Sequence, residues 1–200
     1  MTTIRLGLIR HAETLWNREK RIQGQCETDL SPTGRDQALA WGHTLAGRGY
    51  TLILASDLGR AMQTAQLVNQ SLGLPLMTDQ RLREQDWGHW VGRTLPDLLT
   101  NSGGEFRRQE KAAWEFRPPG GENRKEVLAR AKAALNDTIL KHPEDTILVV
   151  THLGVVKCLI YDLLELGFEP DTPDPVAKRT LHELTYSNGR FNILHLNMEL

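Results

Sequence analysis

Cysteine is scarce in this chain of 200 residues. Cys26 and Cys158 are the only two, and they lie far apart with no CxxC or other zinc-ligand spacing. A disulfide framework and a structural zinc site are therefore excluded as organising devices, and two ordinary thiols are expected. An excess of positive charge is also missing: 24 basic residues face 25 acidic ones, for a formal net charge of -1. Chains that grip nucleic acid or anionic membranes normally carry a basic surplus, so neither partner is expected and any positive potential has to be local. No apolar run approaches the roughly 20 residues needed to cross a bilayer. The first ten residues, MTTIRLGLIR, lack the basic start, apolar stretch and small-residue cleavage site of a secretory signal. A soluble, cytoplasmic protein is expected. There is no internal repeat, low-complexity tract or linker, and the length suits one domain spanning 1–200. Oligomeric state is not legible in the pattern.

Short apolar runs alternate with amphipathic stretches. Ile4–Ile9, Leu52–Ala55, Leu74–Met77 and Thr146–Val150 have the length and composition of buried strands. Ser31-Pro32 offers a helix cap followed by an apolar periodicity through Ala38, Trp41 and Leu45 to Gly47. Further helices are predicted over Leu58–Leu72, Glu122–Leu140 and Gly154–Leu164, and shorter ones around Leu95–Thr100 and Glu105–Phe116. Ser187-Asn188-Gly189 between two alternating segments, Leu181–Tyr186 and Arg190–Leu196, predicts a β-hairpin. The alternation gives a three-layer α/β/α fold with a mostly parallel central sheet and a C-terminal β-hairpin. An irregular insert around 81–121, rich in Trp, Gly and charge, is expected to cover the substrate.

Ligands of open α/β sheets bind beyond the carboxyl ends of the strands. Arg10-His11 follows the first strand, Ser56 to Arg60 the second, and Thr151-His152-Leu153-Gly154 the last parallel one. Two histidines and two arginines thus converge on one rim from distant parts of the chain. Forked guanidinium groups match pairs of phosphate oxygens, and neutral imidazole is a nucleophile that needs no metal to activate it. Phosphoryl transfer mainly requires such positioning and charge stabilisation.

The segment LIRHAETLWNREKRIQGQCETDLSPTG resembles the opening pattern of the histidine phosphatase (phosphoglycerate-mutase-like) superfamily. SDLGRAMQTA resembles that family's second arginine motif, RLREQDWG its acid motif, PGGE its later turn and VVTHLGVV its second-histidine motif. The five occur in register over nearly the whole chain, and the compact length is similar to the broad-specificity and α-ribazole phosphatase branch. The resemblance implies a phosphatase acting on a small phosphorylated metabolite without metal or other cofactor. It implies His11 as nucleophile, with Arg10, Arg60 and His152 completing the phosphate pocket. It also implies Glu84 as proton donor and then water-activating base, Asn17 as a further phosphate contact, Gln23-Gly24 on the substrate side and the Leu153 amide facing the phosphate. Ala12 and Leu153 stand where the family usually has glycine, which bears on local backbone freedom.

Competing readings have less support. His11-Ala12-Glu13 has the His-x-Glu spacing of zinc deaminases, but the partner Pro-Cys-x-x-Cys is absent. His43, His89, His142, His182 and His195 show no paired metal spacing. Trp87, Trp90 and Trp114 fit core or lid packing, and Arg107, Arg108 and Arg117 a solvated surface, with contact of one of them to a second anionic group as the alternative. Two other functions remain open from sequence: a phosphoglycerate mutase, which would carry extra basic residues for a carboxylate, and a phospholigand-binding module, which would normally have lost His11 or Glu84.

Overall fold

A computed structural model describes residues 3–200. Six strands form one sheet: β1 (Ile4–Arg10), β2 (Leu52–Ala55), β3 (Leu76–Thr78), β4 (Ile147–Thr151), β5 (Thr180–Ser187) and β6 (Arg190–Glu199), in the order β3-β2-β4-β1-β5-β6. The first four are parallel, and β5 and β6 continue the sheet as an antiparallel hairpin. The helices of the described residues are α1 (Leu15–Arg18), α2 (Pro32–Leu45), α3 (Gly59–Leu72), α4 (Leu95–Asn101), α5 (Gly103–Lys111), α6 (Arg124–Lys141) and α7 (Leu153–Leu163).

Side chains of a strand alternate between its two faces, and this alternation builds two cores. Leu6, Leu8, Ile147 and Val149 pack beneath α6 and α7, against Val127, Ala131, Leu135, Val155 and Leu159. Ile9, Leu148 and Val150 point the other way, against Ala38 and Trp41 of α2 and Ala61 and Val68 of α3. The result is the expected three-layer α/β/α arrangement.

Local chemistry marks the element ends. Ser31 accepts from the Gly34 amide with Pro32 in the first turn of α2, and Gly73 closes α3 in the left-handed region. Asn123 and Glu126 form a reciprocal capping box on α6, so the helix starts at Arg124 rather than at Glu122. The hairpin turns on Asn188 and Gly189, both at positive φ, as a tight two-residue turn requires.

The stretch from 81 to 121 is less irregular than its composition suggests. Trp90, Leu98, Phe106 and Phe116 form a third buried cluster, with Ile22 and Trp87 packed on it. The helix expected over Glu105–Phe116 instead spans Gly103–Lys111, because Ala113 takes a left-handed φ of 52° and ends it. A single 3-10 turn, Ala113–Glu115, follows. No helix among the described residues is long and apolar enough to cross a membrane.

Candidate active site

Sheet register brings the reactive groups together. Arg10 of β1 is paired with Thr151 of β4, so the next residues, His11 and His152, leave the sheet side by side. The His11 amide donates to the Thr151 carbonyl at 2.8 Å, and the two imidazole centroids lie 5.3 Å apart. The β2–β4 register ends at Ala55 and Val150, which places Ser56 against the same rim. Its hydroxyl lies 2.8 Å from His152 Nε2. Both histidines are buried, His152 completely.

His11 has a determined tautomer. Its Nδ1 lies 2.8 Å from the Ala12 carbonyl oxygen. A carbonyl can only accept, so Nδ1 carries the hydrogen and Nε2 keeps its lone pair. Burial, reinforced by the nearby Arg10 and Arg60 cations, holds the His11 imidazole well below the usual histidine range. His152 is shifted the same way by burial, then by Arg60, His11 and Arg10. Both rings are therefore neutral near pH 7, beside two guanidinium groups.

Arg60, at the start of α3, is fully buried. It donates from Nη1 to the Cys26 carbonyl at 2.9 Å and from Nη2 to the Gly24 carbonyl at 2.7 Å. It thereby ties down the loop that carries Gln23 and Gly24. Gly24 itself has φ +50°, and a Cβ there would press on Val91 and the Trp87 backbone, so only glycine fits the turn comfortably. The side-chain oxygen of Gln23 accepts from the hydroxyls of Thr14 and Thr28. Asn17 lies in the first turn of the short helix α1, which the sequence pattern did not suggest. Its Oδ1 accepts from the Thr14 amide in a capping box.

Unsatisfied polar atoms point to the same place. Of four buried side-chain polar atoms without a protein partner among the described residues, three are Arg10 Nε, Arg60 Nε and His152 Nδ1. Buried donors are normally paired, so such a cluster marks a site built for an external acceptor. The starts of α3 and α7 lie at this rim and neither has a side-chain cap. Their amide ends add positive potential for an anion.

A cavity of about 370 Å³ opens over the rim. Arg10, His11, Asn17, Gln23, Gly24, Arg60, Glu84 and Leu153 all line it, whereas His152 does not. Glu84 follows the 3-10 turn Gln80–Leu82 and is held at both oxygens, accepting from the Gln85 amide at 2.8 Å and the Gly154 amide at 3.2 Å. The two departures from the family's glycines are structurally harmless. Neither Ala12 nor Leu153 adopts a positive φ, Ala12 donates its amide to Thr64, and Leu153 simply opens α7.

Sequence reasoning did not single out Gly154, Gln85, Arg21, Arg124 and Lys157, which also line the cavity. Gly154 is the informative one, since a Cβ there would overlap Glu84 Oε1. Gly154→Ala is accordingly expected to displace Glu84 and to lower turnover of esters with poor leaving groups by roughly tenfold or more. A melting temperature close to that of the parent would accompany this loss, and unchanged kinetics would show that Glu84 has no role there. Trp87 alone of the three insert tryptophans reaches the cavity. Trp90 is buried in the insert cluster, and Trp114 packs on Phe168 and donates to the Leu166 carbonyl. His43, His89 and His195 are exposed, His142 faces Asp145, and His182 accepts from the Asn197 amide.

Residues 6–199 match the histidine phosphatase superfamily (branch 1). A probable phosphoglycerate mutase, GpmB, of Salmonella paratyphi B is 36% identical over 163 residues, covering 82% of this chain and 76% of the relative. Among solved structures, a mycobacterial glucosyl-3-phosphoglycerate phosphatase superposes with a TM-score of 0.87 at 30% identity, over 98% of this chain and 100% of that one. The α-ribazole phosphatase of Shigella flexneri superposes with a TM-score of 0.80 at 27% identity, over 97% and 96%.

Proposed function

The chain belongs to branch 1 of the histidine phosphatase superfamily, and on that premise we propose that it hydrolyses a small phosphomonoester through a phosphohistidine on His11. The observation that carries this reading is the committed tautomer of His11, whose Nε2 lone pair sits beside two guanidinium groups. A phosphate dianion repels nucleophiles until its oxygens are neutralised. Arg10 and Arg60 do this as forked donors, His152 and the start of α7 add dipoles, and Asn17 contributes its amide nitrogen. Nε2 attacks phosphorus in line as the bond to the ester oxygen breaks, and Glu84 gives its proton to the departing alkoxide. The carboxylate then takes a proton from water, which attacks the phosphohistidine and releases inorganic phosphate with His11 restored. Gln23, Gly24 and the 81–121 insert shape the substrate side through Gln85 and Trp87.

No metal or organic cofactor takes part in this scheme. Among the described residues no group of three His, Cys, Asp or Glu is placed to hold a metal ion. The purified chain is expected to hydrolyse a chromogenic phosphate ester in excess EDTA at the rate seen without it. Loss of activity on chelation, restored by a divalent ion, would overturn the cofactor-free scheme, and no hydrolysis under any condition would favour a binding module. A second reading, phosphoglycerate mutase, has the GpmB relative in its favour. Isomerisation of a phosphoglycerate that depends on added bisphosphoglycerate would select it.

A further inference from the structure

The cavity continues from His11 along α7, lined in turn by Leu153, Gly154, Lys157 and Cys158. That stretch of helix is about 7.5 Å long. Three cations lie on the wall beyond the phosphate pocket: Arg21, Arg124 and Lys157. Two are neutralised, Arg21 by Glu19 at 2.6 Å and Lys157 by Asp174 at 2.6 Å. Arg124 has no carboxylate partner among the described residues. Its guanidinium is clamped between the rings of Phe116 and Phe168, 4.3 Å from each centroid, and Nη1 donates to the Ala113 carbonyl at 2.8 Å.

Local physics opposes this placement. Arg124 is the first residue of α6, where the helix dipole disfavours a cation. Burial lowers its guanidinium to about 10. The two aromatic faces offset part of that desolvation, but they also hold the fork rigid, which is the preparation a planar anion-binding group requires.

We infer that Arg124 reads a second anionic group on the substrate, a carboxylate or a phosphoryl, held along α7 from the ester that His11 attacks. The inference rests on the phosphatase reading and narrows its substrate class to phosphomonoesters with a further anion. Trp87, Ile22 and Phe168 add apolar wall to the same cavity, which suits a compact, lightly hydrated connecting part of the substrate.

Matched pairs of esters test it. Phosphoserine is compared with phosphoethanolamine for the carboxylate, and fructose 1,6-bisphosphate with fructose 1-phosphate for the phosphoryl. The parent chain is expected to favour the more anionic member of at least one pair by roughly tenfold or more in kcat/KM, the size of one charge-assisted contact. Arg124→Gln should collapse that ratio toward one, Arg124→Lys should restore part of it, and circular dichroism shows whether each variant folds. A ratio near one in the parent chain, or one that survives Arg124→Gln, overturns the assignment whatever the variants' stability. If no ester in the panel is hydrolysed, the phosphatase reading fails separately. Calorimetric binding of the same pairs to the parent chain then makes the comparison without turnover, and equal affinities within each pair overturn the assignment.

Discussion

His11→Ala is expected to abolish both turnover and phosphoenzyme formation, the largest effect of any single substitution in this protein. Rapid quench of the parent chain with a labelled phosphoester should trap an acid-labile, base-stable protein phosphate. The alanine variant should trap none, because no other group at the rim combines a free lone pair with this position. His152 is not placed to substitute, since it does not line the cavity. Cys158 cannot either, because burial pushes its thiol up to about 12 and leaves no thiolate near pH 7. Glu84→Gln should behave differently, since it removes the proton and leaves the nucleophile. Labelling by an ester with a poor alkoxide leaving group should be slow, while an activated phenol should partly restore it. Decay of the label should stay slow with both. Labelling of the His11 variant, or equal impairment of Glu84→Gln on both leaving groups, would show the division of labour to be wrong.

The second large effect belongs to Arg60. Arg60→Ala is expected to lower kcat/KM by roughly 10²–10³-fold, about 3–4 kcal/mol of transition-state stabilisation, while Arg107→Ala changes it little. Arg60 is fully buried and lines the cavity, whereas Arg107 is exposed on helix α5 and does not. The same guanidinium also anchors the Gly24 and Cys26 carbonyls, so the alanine variant should also melt at a lower temperature. Arg60→Lys separates the two contributions. It keeps the positive charge but cannot span both carbonyls and the phosphate, so activity should return only in part. Equal, small effects at positions 60 and 107 would mean that the phosphate does not bind at the end of β2.

The strands were legible because each is a short apolar run cut off by polar residues, and the hairpin because Asn188-Gly189 suits a turn with two positive φ angles. The boundaries that shifted did so where side chains compete for backbone groups. Asn123 captured the start of α6, and Ala113 adopted a left-handed conformation that alanine gives no warning of in sequence. The helix α1 was hidden because four residues carry no periodicity, although Thr14 and Asn17 had the spacing of a cap. Arg10, His11, Arg60, Glu84 and His152 could be named from sequence because each occupies a strand end or the loop after it, inside a recognisable motif.

Residue chemistry in linear order was enough to specify the α/β/α class and the family, and to name candidate residues for the site. Pairing in three dimensions decided everything that depends on relative position. The Arg10–Thr151 register sets the two imidazoles side by side, and the Ala12 carbonyl selects which nitrogen of His11 is free. The absence of a side chain at Gly154 lets Glu84 approach α7. Arg124, an unremarkable basic residue in a helical stretch, becomes an unneutralised cation between two aromatic rings only when α6 packs beside α7 and the insert. Hydrogen-bond partners and neutralising charges are properties of neighbours distant in the chain, and no local pattern of apolar and polar residues encodes them.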